Sequence, residues 1–265
     1  MDKWFYFFLR EESSIAEGLE ELLSYGAQEI SELEDLEEQK TFFCGKIKKE
    51  SFPLQWEHIE SCKLLDEDID WQQQWELFCP YFVDGMCKIP LSDFSAKNLK
   101  HLLLSPGAGF GDLSHKTTCL MMELMSLYVE DKIVADLGCG SGVLGLFALQ
   151  LGAKKVYGID IDPKALEHTK ENARLNDLED KIFVGLNLPE KVFPDILLLN
   201  MTWDEQKQAL SSFPVDKCGL WIVSGILEEQ EKGYLLFMKQ FSLKLEKIMR
   251  REGWLGFIFI KDSFV

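Results

Sequence analysis

The chain lacks several things, and each absence narrows what it can be. It has no C-x-x-C pair, and its seven cysteines are an odd number, so neither a disulfide framework nor a cysteine-rich zinc site is expected. The four histidines are scattered, which leaves no metal centre to expect. No stretch approaches the ~18 apolar residues of a membrane span. The apolar run at residues 4–9 is too short for a signal-peptide core and has no small-residue cleavage site. Together these absences predict a cytoplasmic protein in a reducing setting, with no membrane partner. Internal repeats and low-complexity tracts are also missing. Basic residues are scarce: 28 Lys and Arg stand against 45 Asp and Glu, a formal net charge of −17. That balance argues against direct nucleic-acid binding, which needs cations to neutralise phosphates, and it suits a basic partner. The bland alternative is charge that only keeps the protein soluble.

What is present is enough for a folded protein. The 265 residues are 46% hydrophobic and 12% aromatic, which fits one catalytic domain plus a small extra module. A strand at 4–9 is followed by Ser13 or Ser14 as a helix cap, by Ile15, Leu19, Leu22 and Leu23 at helical spacing, and by Gly26 as a stop. Strands at 28–33 and 41–47 complete a β-α-β-β, α+β module over residues 1–55. Residues 11–38 hold eleven Asp or Glu and no Lys or Arg. The block is either a docking face or a solvated surface. Residues 56–100 read as a connector. In it Trp56, Trp71 and Trp75 lie among Asp66, Glu67, Asp68 and Asp70, and the rings are expected to pack the connector onto the following domain. From about residue 132 the pattern alternates: strands at 133–137, 155–160, 195–200 and 220–224, helices at 143–151 and 163–176. This predicts an α/β, doubly wound, Rossmann-like domain over 101–265, closed by an antiparallel hairpin of 244–251 and 254–260 about Gly253.

Asp136-Leu137-Gly138-Cys139-Gly140-Ser141-Gly142 carries the chemistry. A strand ends, glycines turn the chain, and a helix begins. Gly158-Ile159-Asp160-Ile161-Asp162 then ends the next strand in a carboxylate placed to accept from ribose hydroxyls. The string Gly140-x-Gly142-x-x-Gly145 also fits a nicotinamide dinucleotide. However, Asp136, read as lying at the loop mouth, would repel a pyrophosphate at the helix N-terminus. S-adenosylmethionine has no phosphate and carries an ammonium and a sulfonium, so it is the expected cofactor, with Asp136, Gly138, Gly140 and Asp160 around it. Asn200 stands at a strand end where its amide can accept from a substrate amine, or else it caps the helix near Trp203. Upstream, the glycine-rich loop at 105–114 leads to Thr117 and Thr118, which can cap a helix or meet a ligand carboxylate.

These pieces, in this order, resemble the PrmA family, methyltransferases of the large-subunit ribosomal protein L-eleven. The resemblance rests on Asp70-Trp71…Trp75, on Gly107-Ala108-Gly109-Phe110-Gly111…His115-Lys116-Thr117-Thr118, on Asp136 to Gly142, on Gly158 to Pro163, on Asn200, and on Val223-Ser224-Gly225-Ile226-Leu227. It implies cofactor contacts at Thr118, Gly138, Asp160 and Asn200. It also implies methylation of lysine and N-terminal amines, with residues 1–55 gripping the basic ribosomal protein. Asn200 and His115 are the candidate catalytic residues, His115 being as well explained as a structural histidine. Phe110, Met201, Thr202 and Trp203 are expected near the substrate, and a monomer is expected. Two of the family's motifs change here. The family's F-G-T-G is Phe110-Gly111-Asp112-Leu113, which removes a loop glycine, and N-[IL]-L-A is Asn200-Met201-Thr202-Trp203, which brings a bulky ring toward the acceptor. The N-terminal module also reads as shortened. A different protein or small amine as target, or a non-catalytic homologue, stays open; the intact Asp136, Gly138 and Asp160 argue against the latter.

Overall fold

The computed structural model of the chain describes residues 3–35, 40–48, 51–53, 55–64, 71–94, 101–215 and 218–261. They fall into two compact units, Met1–Pro80 and Tyr81–Val265.

The first unit contains β1 (Lys3–Leu9), α1 (Ile15–Ser24), β2 (Gln28–Asp35), β3 (Lys40–Ile47), β4 (Ile59–Leu64) and α2 (Trp71–Phe78). Its sheet has the order β2-β3-β1-β4, antiparallel throughout. The aromatic alternation of β1 covers both faces. Phe5 and Phe7 are buried, while Tyr6 and Phe8 pack with Phe42 and Phe78 around Cys44. Of the two candidate caps, Ser14 begins α1: its hydroxyl accepts from the Glu17 N–H, and the Glu17 carboxylate accepts from the Ser14 N–H. Strand β4 was not legible in the acid-rich stretch read as connector. Trp56 does not serve the role expected of it. It packs on Phe7, Phe52 and Tyr25, inside this unit. Trp71 and Trp75 do share α2, with Trp75 buried. Asp66, Glu67, Asp68 and Asp70 lie outside the described residues, as do Glu37 and Glu38.

Part of the acid block builds structure. Glu32 is buried, and the Glu21 carboxylate accepts from three successive backbone N–H groups, those of Glu57, His58 and Ile59, at 2.6, 2.8 and 3.2 Å. Glu17, the capping-box partner of Ser14, also belongs to the block.

The second unit begins with a small antiparallel sheet of β5 (Phe82–Val83), β6 (Met86–Pro90) and β7 (His101–Leu104). Helix α3 (Lys116–Met125) follows, then β8 (Ile133–Leu137), α4 (Val143–Gln150), β9 (Lys155–Ile159), α5 (Pro163–Leu175), β10 (Ile182–Gly185), β11 (Ile196–Asn200), α6 (Trp203–Ser212), β12 (Leu220–Leu227), α7 (Glu231–Met238), β13 (Leu243–Arg251) and β14 (Trp254–Lys261). The seven-stranded sheet has the order β10-β9-β8-β11-β12-β14-β13. Its first five strands are parallel, and β14 enters antiparallel to β12, closing the predicted hairpin with β13. The apolar runs of β8, β11 and β12 are buried almost along their length, as strands between two helical layers must be. The chain leaves β8 toward β9 and β10, then returns to β11 on the other side. Doubly wound sheets hold their ligands at such a reversal, here the carboxyl ends of β8 and β11.

Replacing Glu21 by alanine strands three N–H groups and is expected to cost the first unit about 2 kcal/mol, whereas the exposed neighbour Glu20→Ala should stay within about 0.5 kcal/mol. Urea titrations of the two variants check this. Equal midpoints would show that the Glu21 carboxylate holds nothing.

Candidate active site

The glycine motif follows directly on the carboxyl end of β8. Gly138, Gly140 and Gly142 all have positive φ (77°, 56° and 82°), and the Gly138 and Cys139 N–H groups both donate to the Ile159 carbonyl. Asp160, at the end of β9, braces the turn. Its Oδ2 accepts from the Gly140 N–H at 3.0 Å and its Oδ1 from the Asp162 N–H at 3.0 Å. Asp162 caps α5 and Pro163 opens it, as the sequence predicted. Asp160 remains half-buried, with carboxylate lone pairs left to accept from a ligand.

Asp136 is not at the mouth of the loop. It lies buried beneath it, and its Oδ2 accepts from the Gly145 N–H, in the first turn of α4, at 2.9 Å. The expected repulsion at the loop mouth is therefore not what this carboxylate supplies; it occupies one N–H of the α4 N-terminus. Desolvation, and secondarily the nearby Asp160, push the Asp136 carboxyl up to about 7.

The upstream loop lies directly on the glycine motif. The Ser141 N–H donates to the Phe110 carbonyl at 2.8 Å, and a Cβ on Gly109 would overlap the Gly140 backbone, so the two chains meet main chain to main chain. One face of α5 holds both. The Asn176 amide pairs both ways with the Leu103 backbone, at 2.9 and 2.6 Å. Asn172 accepts from the Ser105 N–H and donates to the Ser141 carbonyl. His168 accepts the Gly109 N–H on Nδ1 and donates from Nε2 to the Ser105 carbonyl. Thr169 donates to the Gly140 carbonyl. None of these four was singled out from the sequence. The signal was there in His168, Asn172 and Asn176, polar residues spaced by four on a helix whose other buried residues are mostly apolar.

The altered loop is built around a left-handed turn. Leu113, where the family has glycine, stays at φ 69° with its side chain buried. The left-handed backbone costs a non-glycine residue about 1–2 kcal/mol, and burying a leucine returns about 1.5–3. Asp112 ties the turn by accepting from the Ser114 N–H and hydroxyl.

His115, not Thr117 or Thr118, is the N-cap of α3, accepting from the Thr117 N–H. Its ring is enclosed by Phe110 and Trp254, and burial, with a smaller contribution from Lys116, lowers it to about pKa 3. Burial favours the neutral ring, and its Nδ1 is engaged with Thr117. Thr118 and Asn200 do come together: the Asn200 Nδ2 donates to the Thr118 Oγ1 at 3.4 Å, while the Asn200 Oδ1 is buried with no partner among the described residues. Asn200 does not cap α6. Thr202 does that, its N–H and hydroxyl both donating to Glu205. Met201 lies over Gly138. Trp203 turns away, its ring packing on Gly233, Tyr234 and Phe237 of α7, so the bulky ring expected at the acceptor is part of the core instead. The sequence reading also passed over Ile161, an apolar side chain 88% exposed beside Asp160, and Leu186, 57% exposed just beyond β10. Among the described residues no group of His, Cys, Asp and Glu is arranged to hold a metal ion.

A parallel sheet with an antiparallel closing strand, a glycine turn and an acid at the next strand end has a solved counterpart. The crystal structure of ribosomal protein L11 methylase from Lactobacillus delbrueckii subsp. bulgaricus superposes with a TM-score of 0.54 at 27% identity, over 66% of this chain and 98% of that one. The fold and site define a Rossmann-like methyltransferase. The family model of ribosomal protein L11 methyltransferase (PrmA) matches residues 8–262, and the chain belongs to that family. The ribosomal protein L11 methyltransferase of Vibrio parahaemolyticus is 32% identical over 243 residues, 87% of this chain and 80% of its own length. That of Glaesserella parasuis is 34% identical over 225 residues, 81% and 73% respectively.

The elevated Asp136 has a consequence for stability. Between about pH 4 and pH 7 the unfolded chain has released this proton and the native state has not, so native stability falls as pH rises through that window. Asp136→Asn keeps an acceptor for Gly145 and carries no charge. Its melting temperature is expected to overtake that of the wild type progressively from pH 4 to above pH 7. A pH-independent gap between the two melting curves would refute the burial of an ionisable group here.

Proposed function

We propose that this chain is an S-adenosylmethionine-dependent methyltransferase acting on amines of ribosomal protein L11, both lysine side chains and the N-terminal amine, as a cytoplasmic monomer. The names of its relatives support the substrate. The observation that carries the chemistry is the buried, unpartnered Asn200 Oδ1 at the end of β11, next to the glycine turn. A buried carbonyl left without a donor costs about 1–3 kcal/mol, and an N–H from an amine substrate relieves that cost.

The residues present fit the cofactor. Asp160 would accept from the ribose hydroxyls, and the exposed Ile161 and Leu186 offer apolar surface beside it for an adenine ring. Thr118 and Asn200, joined by a hydrogen bond, would meet the amino-acid end of the cofactor. When bound, the sulfonium supplies a methyl group that is already activated. What remains for the protein is placement. Asn200 fixes one N–H of the incoming amine, which directs its lone pair, and the buried walls of α3 and β11 keep water out.

The amine must be neutral to attack. A lysine near pKa 10.4 is neutral about once in 2,500 molecules at pH 7, a cost of about 4.6 kcal/mol, and an α-amine near 7.8 costs about 1 kcal/mol. His115 is buried with its Nδ1 engaged by Thr117, so in this reading the proton leaves to water before transfer. Residues 1–55 are the substrate-recognition segment in this reading, with the exposed Glu11, Glu12 and Glu20 facing a basic partner.

Three measurements test this. Mass spectrometry of ribosomal protein L11 incubated with the enzyme and S-adenosylmethionine is expected to show methyl additions, and an unmodified protein would remove the proposed substrate. Asp160→Ala should abolish cofactor binding in calorimetry, while Asn200→Ala should cut turnover more than cofactor affinity; equal losses for Asn200→Ala would reassign it to the cofactor alone. Turnover should climb about tenfold per pH unit from pH 6, levelling near pH 8 for an α-amine and still rising there for lysine. A plateau set by a group of pKa near 6.5 that vanishes in His115→Ala would restore His115 as a base.

A further inference from the structure

The placement of Asn200 rests on very little at its own side chain, a single 3.4 Å hydrogen bond to Thr118. Its carboxamide therefore sits where the main chain of residues 200–202 puts it. That main chain is held from below by one fully buried side chain, Gln206, one turn into α6.

The Gln206 Nε2 donates to the Met201 carbonyl at 2.8 Å and to the Ser224 carbonyl at 2.9 Å, and its Oε1 accepts the Tyr234 hydroxyl at 2.6 Å. Both amide protons are used, one on the carbonyl just past the end of β11 and one on a carbonyl within the adjacent β12. The second carbonyl belongs to the family-specific Ser224-Gly225 step, where β12 breaks register with β14. A Cβ on Gly225, at φ 88°, would overlap the Met201 carbonyl, so glycine is what lets the two strand ends close up. The Ser224 hydroxyl fastens the break to the Leu255 carbonyl at 2.8 Å. Trp203 packs edge-on against Tyr234, with ring centroids 5.9 Å apart, and so buttresses the third partner of Gln206.

We infer that Gln206, clamped between Met201, Ser224 and Tyr234, is the positioning residue that sets the Asn200 carboxamide for the acceptor amine. It touches neither cofactor nor substrate and acts through the Met201 carbonyl. Its kinetic consequence rests on the function proposed above; the geometry of the clamp does not. The altered Met201-Thr202-Trp203 segment then makes sense as a unit, with a main chain held by Gln206 and a ring that locks the far side of the clamp.

Gln206→Glu keeps the acceptor for Tyr234 and loses the paired donation. It is expected to lower kcat by about 10- to 100-fold, the usual penalty of a misplaced reacting group, with KM for ribosomal protein L11 and cofactor Kd changed less than about threefold. Tyr234→Phe should produce the same split at smaller size, and it stands in if Gln206→Glu fails to fold. In both variants the Asn200 side-chain amide resonances of the 15N-labelled, cofactor-saturated protein should shift, as a purely remote change in stability would not make them do. A fall in melting temperature with kcat and those resonances unchanged overturns the inference. If the wild type leaves ribosomal protein L11 unmethylated, the proposed substrate is what fails, and the resonances alone decide the clamp.

Discussion

The site depends on one close approach of main chain to main chain. The Phe110 carbonyl lies on the Ser141 N–H, with Gly109 against Gly140, and nothing with a Cβ fits between them. Such a contact has no side chains to guide it, so the guidance comes from elsewhere. Helix α5 supplies it with His168, Thr169, Asn172 and Asn176, which bind the backbone of the loop and of the glycine turn at once. Each of these hydrogen bonds is worth about 1 kcal/mol net, yet losing one would strand a buried partner at greater cost. The same helix is capped by Asp162, two residues from Asp160, so the brace and the expected ribose acceptor move as one body.

Polar groups in this protein are buried where the backbone has an unmet need. Asp136 meets the Gly145 N–H and Gln206 meets two carbonyls, and the half-buried Glu21 likewise meets three N–H groups in the first unit. Three buried side-chain atoms among the described residues lack a partner: the Tyr6 hydroxyl, the Trp203 indole N–H and the Asn200 Oδ1. Of these, only the Asn200 oxygen belongs to the residue that ends β11, next to the glycine turn.

The doubly wound sheet and its closing hairpin were legible because β8, β11 and β12 are continuous apolar runs and Gly253 sits between two strand patterns. The glycine turn and Asp160 were legible for the same reason that they work: backbone conformation and hydrogen bonding there are local. Strand β4 was not, because Ile59–Leu64 alternates with Glu60 and Lys63 inside an acid-rich stretch and pairs with a strand some fifty residues earlier in the chain. The positions of Asp136 and Trp203 were misread for a related reason. A motif gives a residue's place along the chain but not its depth, and both side chains turned inward to partners distant in sequence or on another helix. Gln206 and His168 escaped notice because a single polar residue on a helix looks the same whether it faces water or a carbonyl.

Leu113 illustrates how such a loop can change without losing its form. The residue keeps a mirror-image backbone and compensates by filling the interior. From that state, return to glycine relaxes the chain but empties a hole, and alanine empties the hole without relaxing anything. Both substitutions are thus expected to gain little or to destabilise, so the fold itself favours a large apolar residue at this position.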